Sequence, residues 1–434
     1  MPRHLSSLHS ASRLMLARLT GAGAGFLGQL LLARLMPAED LGVFFAATSF
    51  AALAGLIATQ GYPGVMQRFI TRYRERRRER LLGSFVWQVK FETILLTVAV
   101  ALSAAAVGLV WPGLTFDRIL VLLATALCTI TASSFTIYGA FAAIERRFEL
   151  AQLPETLIRP VVFLPLILLV AVTGIGVTAG TITLSYAMLS AVLACIQYAR
   201  IAPVVPAAAN IGSSHAGSKW RGEARLFALA IIFATSFADL AIVLASPFLG
   251  SAYLATFGIA LKTSLLVGFA VQIAHQIALP DLAEAHECGD FAGIQRALWQ
   301  ATVFPSVVTG VALIGAIAGG EWFLSLFGSH YAIAKWPLVI LVAAQFVRAL
   351  AGPGQSLLML KGAQGTNAAI CAVSTGTLAV TNATLVPYWG MYGASVAVLI
   401  TVTLWFGSAA YILSSRNGMR VDLPFLVLRA VRNS

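Results

Sequence analysis

The sequence predicts an all-α polytopic membrane protein with about 12 transmembrane helices, on the evidence of its composition and the length of its apolar runs. Hydrophobic residues make up 59% of the 434 residues and charged residues only 11%, and the mean hydropathy is +0.86. A soluble domain carries roughly 25% charged residues, so water would not solvate the surface of this chain. The apolar runs are about 20 residues long, as a helix across about 30 Å of hydrocarbon requires. They do not alternate over segments of about ten residues, as the strands of a membrane barrel do.

A polar break divides the predicted spans into two groups of six. The spans are predicted at 13–36, 40–60, 83–110, 118–143, 155–174, 178–199, 224–246, 251–277, 298–319, 334–358, 366–387 and 391–414. The break contains Pro203, Pro206 and Gly212 and is typical of a flexible linker. We therefore predict an N-lobe at 1–200, a cytoplasmic linker at 201–222, a C-lobe at 223–415 and a basic cytoplasmic tail at 416–434.

The net charge of +12 comes from arginines and lysines that are concentrated in a few short loops. An arginine-rich segment at 68–80 follows the second span, and the 199–225 loop and the tail are also basic, whereas the opposite loops are poor in cations. This asymmetry predicts that both termini are cytoplasmic and that the arginines contact lipid headgroups. It does not favour a nucleic-acid partner. Met66, Phe69 and Ile70 recur at helical spacing, which predicts an amphipathic helix on the inner membrane surface.

Sequence motifs for catalysis, metal binding or cofactor binding are not recognisable. The segment from Gly23 to Gly28 matches GxGxxG, but it lies inside an apolar span and is interpreted as a stripe of small residues for close helix packing. The segment from Gly212 to Lys219 lacks the order of residues in a phosphate-binding loop. The six histidines and four cysteines have no metal-ligand spacing. We therefore predict no catalytic residue, no metal and no cofactor.

Charged side chains inside apolar spans are the candidate functional residues, because a charge in hydrocarbon is costly unless it faces a cavity or a partner. They are Arg18, Glu92, Asp239, Lys262 and Arg348. Helical spacing places Gln29 on the face of Arg18, and Gln345 on the face of Arg348. Several structural alternatives remain open. Arg18 would reach the headgroups by extending its side chain, Asp239 would neutralise Lys262, and Glu92 would pair with Lys90 or a loop arginine.

The segment from Leu30 to Phe44, LLLARLMPAEDLGVF, resembles the opening of the Wzx-type O-antigen and polysaccharide flippases. Gly61-Tyr62, Leu326-Phe327-Gly328 and the run from Tyr392 to Ala397 are similar to later segments of that family. The resemblance covers nearly the whole chain. It implies a member of the superfamily that also holds multidrug extruders and peptidoglycan-precursor flippases, with two six-helix lobes around a central cavity.

The resemblance implies a flippase that moves a polyprenyl-pyrophosphate-linked oligosaccharide across a bacterial inner membrane for exopolysaccharide or O-antigen synthesis. Arg18, Arg68, Lys262 and Arg348, with Gln29 and Gln345, are the predicted substrate-binding residues, because cations in a low-dielectric site hold a pyrophosphate. Glu92 and Asp239 are the predicted carriers of H⁺ or Na⁺. Glycan polymerisation outside is the other energy source considered, and it would make a periplasmic polymerase a partner. The alternative is a cation-coupled multidrug antiporter; a membrane-embedded transferase and a structural scaffold are further alternatives.

Overall fold

The computed structural model describes residues 2–110, 115–174, 176–207, 214–360 and 362–417, and within these ranges the chain is helical without strands. In chain order the helices are α1 (Pro2–Leu35), α2 (Ala38–Ala58), α3 (Tyr62–Glu75), α4 (Glu79–Val110), α5 (Phe116–Ile144), α6 (Phe148–Leu153), α7 (Arg159–Val172), α8 (Ala179–Ile201), α9 (Ser214–Thr235), α10 (Phe237–Ala245), α11 (Ser251–Glu287), α12 (Phe291–Ser325), α13 (Lys335–Leu350), α14 (Gly354–Leu360) and α15 (Gln364–Asn417). A π-helical turn at Pro154–Ile158 joins α6 to α7. Short 3₁₀ segments lie at Ala202–Val204 and Ser329–Ala334.

Each of the twelve predicted spans has a counterpart among these helices. Ten helical stretches are long and apolar enough to cross a membrane, and α9 with α10 forms an eleventh span that is bent by 80°. Helix α15 contains 54 residues, which would extend about 81 Å if straight. Its backbone breaks at Gly390 (φ 55°, ψ −132°), so it consists of two helices and supplies two spans. The described part of the chain is therefore an all-α, multi-pass membrane protein with eleven spans by length and composition, or twelve if the bent pair crosses the membrane.

The chain forms two compact units, unit 1 at Met1–Val243 and unit 2 at Leu244–Ser434. Helix α9 belongs to unit 1, because its Trp220 is buried in the core that α3, α4 and α5 build. Helix α9 already begins at Ser214, so 214–222 are helical although the sequence predicts a flexible linker there. The remaining part of the predicted linker at 208–213, and most of the predicted tail at 416–434, lie outside the described residues. The assignment of six spans to each lobe stays a prediction.

Helix α3 packs its apolar face on protein rather than on lipid, and its position at the inner membrane surface stays a prediction. Met66, Phe69 and Ile70 are buried against Phe85 of α4 and Phe141 of α5. We call this end of unit 1, which carries the arginine loop at 72–80 and the turns at 145–147 and 202–204, the basic end. The apolar face of α3 thus finds its partners in neighbouring helices, and its arginines remain exposed around the core.

Helix α1 lies directly against the π-helical turn. A Cβ atom built on Gly21 would lie only 1.7 Å from the backbone oxygen of Thr156, whereas a Cβ on Gly23 would have nothing within 4 Å. Gly21 is therefore the glycine that the close approach requires, and it stands just before the GxGxxG stretch. π-helical turns inside longer helices are frequent at functional sites. The contact sets the side chain of Arg18 beside this turn.

Candidate functional site

Unit 1 holds an arginine, Arg159, in the middle of a membrane-spanning helix. It lies eleven residues after the start of the span Phe148–Val172, which is about 17 Å along the helix. Its guanidinium carbon is 5.8 Å from the centre of the Phe135 ring and 5.1 Å from that of Tyr186. Its Nη2 lies 3.2 Å from the Oε1 atom of Glu155, and only 19% of the arginine side chain is exposed. A planar guanidinium held in this way keeps N–H donors available for an anion.

Aromatic rings fix the position of this guanidinium. The Tyr186 ring packs edge-on against Phe163 at 5.1 Å and against Phe44 at 5.9 Å, so helices α2, α7 and α8 meet at the arginine. Phe44 and Phe163 are buried, whereas Tyr186 is half-buried. The arginine therefore stacks on a wall whose rings are themselves locked by packing.

Two of the predicted site residues lie in the same region. Arg18 donates a hydrogen bond from Nη2 to Oε1 of Gln152 at 2.8 Å, seven residues before Arg159. Asp239, in the first turn of α10, is close enough to the Tyr186 hydroxyl to interact with it electrostatically. Unit 1 thus gathers Arg18, Arg159 and Asp239 near the junction of α6, the π-helical turn and α7. Gln29 is half-buried farther along α1.

The sequence analysis missed Arg159 because it began the fifth span at residue 155, after Pro154. That choice put the arginine near a helix end, where it needs no special explanation. In the structure Pro154 lies inside the span, at the start of the π-helical turn. A helix read continuously from 148 to 172 would have placed the arginine inside the span.

A second polar group, at the basic end of unit 1, surrounds Glu92. Its Oε2 atom accepts hydrogen bonds from Tyr62 Oη at 2.6 Å and from Gln60 Nε2 at 3.2 Å. Its Oε1 atom lies 3.3 Å from Nε of Arg221 on α9. Gln88 completes the group by donating to Tyr62 Oη at 3.1 Å and to the backbone oxygen of Gly217 at 3.2 Å. Of the two alternatives for Glu92, the loop arginine is found, and Lys90 is not among its partners.

Arg68 lies in the same region and forms an ion pair with Glu223 of α9. The two pairs, Arg68 with Glu223 and Glu92 with Arg221, join α9 to α3 and α4 from two sides. Trp220 lies between them and donates its ring N–H to Tyr73 Oη at 2.8 Å. The contacts indicate that Arg68 and Glu92 brace α9 against unit 1, whereas the sequence predicted substrate binding and ion coupling for them.

A charge exchange tests the bracing role. Arg68→Glu is expected to lower the midpoint of thermal unfolding, because it places two carboxylates together and an exposed ion pair contributes up to about 1 kcal/mol. The double variant Arg68→Glu/Glu223→Arg is expected to restore the midpoint, since it rebuilds the pair. If Arg68 does not brace α9, the single variant will leave the midpoint unchanged.

Unit 2 presents Arg348 beside a break in a spanning helix. Helix α13 ends at Leu350, and Gly352 (φ 67°) and Pro353 separate it from α14. The guanidinium carbon of Arg348 lies 5.3 Å from the centre of the Phe406 ring, and its buried Nε–H has no hydrogen-bond partner. None of the carboxylates in the described ranges forms an ion pair with it. Broken helices inside membranes commonly mark the binding sites of transporters.

Other polar atoms near Arg348 are also left unpaired. Oε1 of the buried Gln345 has no partner, and Nε2 of His275 and Nε2 of Gln355 have none either. His275 is close enough to Arg348 to interact electrostatically. Buried polar atoms without partners are uncommon in proteins, so a cluster of them around a cation is the arrangement expected of a site for a polar ligand.

Lys262 lies in the same unit but at a different depth. The side chain of Gln345 packs on Gly268, where a Cβ atom would lie 2.4 Å from Oε1, so α11 and α13 cross at this level. Both helices run in the same direction, because each is joined to α12 by a short turn. Lys262 is six residues before the crossing and Arg348 three residues after it. Their separation along the axes is therefore about 13 Å.

A hydroxyl-rich face on α5 behaves differently from these sites. On α5, the hydroxyls of Thr125, Thr129, Ser133 and Thr136 all donate to carbonyls one turn earlier at 2.7 to 2.9 Å. Such hydroxyls satisfy their own helix. No group of three metal-ligating side chains was found when the described residues were searched.

Comparison with known proteins identifies this architecture. Residues 7–207 match the model of the family described as "Polysaccharide biosynthesis protein". The fold matches the lipid II flippase MurJ in an inward closed conformation, with a TM-score of 0.66 and 12% identity over 92% of this chain and 87% of that one. It also matches an inward-facing multidrug resistance MATE family transporter of the MOP superfamily, with a TM-score of 0.62 and 13% identity over 91% and 96%.

A third match is a MOP superfamily transporter from Pyrococcus furiosus that is described as having a binding pocket of reverse polarity, with a TM-score of 0.56 and 12% identity over 92% and 93%. No curated protein sequence matches the chain. The family match over residues 7–207 agrees with the resemblance to polysaccharide flippases that the sequence predicts, and the structural matches show a shared fold.

Proposed function

The chain has the fold of the MOP-superfamily transporters and the sequence pattern of polysaccharide biosynthesis proteins over residues 7–207, and on that premise we propose that it is a flippase for a polyprenyl-pyrophosphate-linked oligosaccharide. The cargo would cross a bacterial inner membrane from the inner to the outer leaflet. Its glycan would then enter exopolysaccharide or O-antigen synthesis.

The observation that carries the proposal is the presence of a stacked arginine inside a spanning helix region of each unit. Arg159 and Arg348 each lie over an aromatic ring, and Arg348 has no carboxylate partner among the residues that the structure describes. A pyrophosphate supplies the negative charge that such guanidinium groups bind through charge-assisted hydrogen bonds. A cationic drug would instead be repelled by them, which disfavours the multidrug antiporter.

The depths of the cations indicate how the cargo would be handled. Arg18 and Arg159 are the proposed binding cations of unit 1. Lys262 and Arg348 are two successive positions in unit 2, about 13 Å apart along the helix axes. A headgroup that passes from one cation to the next never loses its counter-charge completely. This is favourable because an unpaired phosphate in hydrocarbon is strongly destabilised.

Two carboxylates are the candidates for energy coupling. Glu92 is held by three donors, so its release would require the group around α9 to open. Asp239 interacts electrostatically with Tyr186, and we propose it as the carrier of H⁺ or Na⁺. The second possible energy source is a periplasmic polymerase that consumes the cargo after transport. The positive charge of the loops favours an orientation in which both termini and the basic end face the cytoplasm.

Reconstitution of the full chain in liposomes tests the function. A fluorescent polyprenyl-pyrophosphate-linked oligosaccharide is placed in both leaflets, and its exposure is measured with an impermeant reagent that destroys only the outer pool. We expect the protein to make the inner pool accessible, and we expect a lipophilic cationic dye to stay where it was loaded. Transport of the dye without transport of the glycolipid would overturn the proposal in favour of the antiporter.

A further inference from the structure

A crevice on the outside of unit 1 lies apart from the sites described above. It is formed by α4, α5 and α8 and has a volume of about 400 Å³. Ile94, Val98 and Ile130 line it and are 61%, 44% and 43% exposed. Apolar side chains that stay exposed on spanning helices are suited to contact with hydrocarbon, and we infer that the crevice opens to lipid.

One wall of the crevice is polar. Lys90, Thr93 and Thr97 lie at i, i+3 and i+7 on α4 and therefore share one face of the helix. The Thr93 and Thr97 hydroxyls are buried and have no hydrogen-bond partner. This is unlike the hydroxyls of α5, which donate to their own helix. Two donors one turn apart are thus unsatisfied within the protein and would gain partners from a ligand that carries acceptors.

The lysine marks the end of the crevice that lies nearest to the headgroups. Lys90 is half-buried, and the structure gives it no ion pair with a described residue. Beside it are Tyr138 and Tyr198, whose ring centres are 4.9 Å apart. Tyr198 is three residues from the end of α8 at Ile201, so this part of the crevice is close to the level where the spans end. Tyrosines are enriched at that level of a bilayer.

We propose that this crevice binds one anionic glycerophospholipid, with its phosphate on Lys90 and its ester carbonyls on Thr93 and Thr97. The distance from Lys90 to Thr97 is seven residues, about 10 Å along the helix, which spans the headgroup and ester region of such a lipid. Its acyl chain would continue along Ile94, Val98 and Ile130. The site does not depend on the proposed cargo.

The hydroxyls of Thr93 and Thr97 favour this lipid over a polyprenyl phosphate as the occupant of the crevice. A polyprenyl chain has no acceptor beyond its phosphates, so it would leave both threonine hydroxyls buried and unsatisfied. An ester-linked lipid supplies two carbonyl oxygens at the depth where the hydroxyls lie. Charge favours an anionic lipid over a zwitterionic one, because a single lysine near the membrane surface favours anionic lipid about fivefold.

Native mass spectrometry of the purified full chain tests the proposal. Phosphatidylglycerol, phosphatidylcholine and a polyprenyl phosphate are supplied in equal amounts, and the lipid retained is counted. We expect about fivefold more phosphatidylglycerol than phosphatidylcholine on the unaltered protein. The preference should be lost in Lys90→Gln and kept in Lys90→Arg. Retention of phosphatidylglycerol should fall at least about threefold in Thr93→Val/Thr97→Val, because two hydrogen bonds are lost.

Matched controls locate the effect. Lys219→Gln removes a charge at the same basic end without touching the crevice, and Thr384→Val removes a hydroxyl that already bonds to Val380. Both should behave like the unaltered protein. Cys195 lines the crevice and is exposed, whereas Cys128 and Cys371 are buried. In a Cys288→Ser background, phosphatidylglycerol should therefore slow the alkylation of Cys195.

Three results would overturn the proposal. They are equal retention of the two phospholipids, an unchanged preference in Lys90→Gln, and preferential retention of the polyprenyl phosphate.

Discussion

Arg348→Ala is expected to lower export of lipid-linked oligosaccharide by at least about tenfold per protein molecule. Loss of one charge-assisted hydrogen bond costs roughly 1.5–3 kcal/mol, and the arginine has no carboxylate among the described residues that would already use its donors. The unpaired atoms of Gln345, Gln355 and His275 remain after the substitution, but the charge that attracts the anion is gone. The cargo should therefore accumulate in the inner leaflet.

The control is Lys335→Ala, which removes a cation from the other end of the same helix, where it lies 5.9 Å from the Trp336 ring. It should leave normalised export unchanged. Arg348→Lys should keep an intermediate rate, because it keeps the charge but loses the planar stack on Phe406. If Arg348 only fixes α13 against α15, Arg348→Ala will lower the amount of protein in the membrane and leave export per molecule unaltered.

The spans could be predicted from the sequence because hydrocarbon imposes one simple requirement, an apolar run of sufficient length. The same rule failed where helices break without leaving the membrane. Pro154 was taken as a helix start although it begins a π-helical turn, and the break at Gly352 and Pro353 was not foreseen inside the predicted span 334–358. Breaks of this kind are stabilised by contacts with other helices, which a single sequence does not display.

For the candidate site, too, one part could be predicted from the sequence and another could not. The intramembrane charges were found by their cost in lipid, and Arg348 lies in a group of unpaired polar atoms as a binding residue would. Their partners were beyond prediction, because Arg221 lies in the segment that was interpreted as a flexible linker and Glu223 directly follows it. Only the fold brings that segment against α3 and α4. The contacts of Arg68 and Glu92 thus favour a bracing role, and their predicted roles in cargo binding and ion coupling stay predictions.

The crevice on α4 illustrates a further limit. Lys90 was considered only as a neighbour of Glu92, two residues away, because sequence distance suggested a pair. On a helix, residues two apart point in different directions. Glu92 faces Tyr62 and Arg221, whereas Lys90 lines the lipid-facing crevice. The direction of a side chain was therefore as important for its role as its depth in the span.

Arg159→Ala is expected to have the largest effect of all, a loss of export of about 100-fold. The guanidinium is positioned by Phe135, Tyr186 and Glu155, so its remaining donors are oriented before the cargo arrives and two charge-assisted hydrogen bonds are lost together, at roughly 3 kcal/mol. Arg159→Lys should remain impaired by about tenfold, because an ammonium neither stacks nor offers two parallel donors. Export is again measured relative to the protein in the membrane.

Glu155→Gln distinguishes a binding role of Arg159 from a purely structural one, because the two roles predict different effects on the affinity for the cargo. The Glu155 carboxylate competes with the cargo for the same guanidinium, so its neutralisation should raise the affinity for a pyrophosphate-bearing lipid while the arginine stays in place. Arg72→Ala, an exposed arginine at the basic end, is the matched control and should change neither export nor affinity. If Arg159 merely holds α7 to α5 and α8, Glu155→Gln will leave the affinity unchanged or lower it. In that case Arg159→Ala will reduce thermal stability and export in parallel, and the cargo site of unit 1 will have to be sought at Arg18.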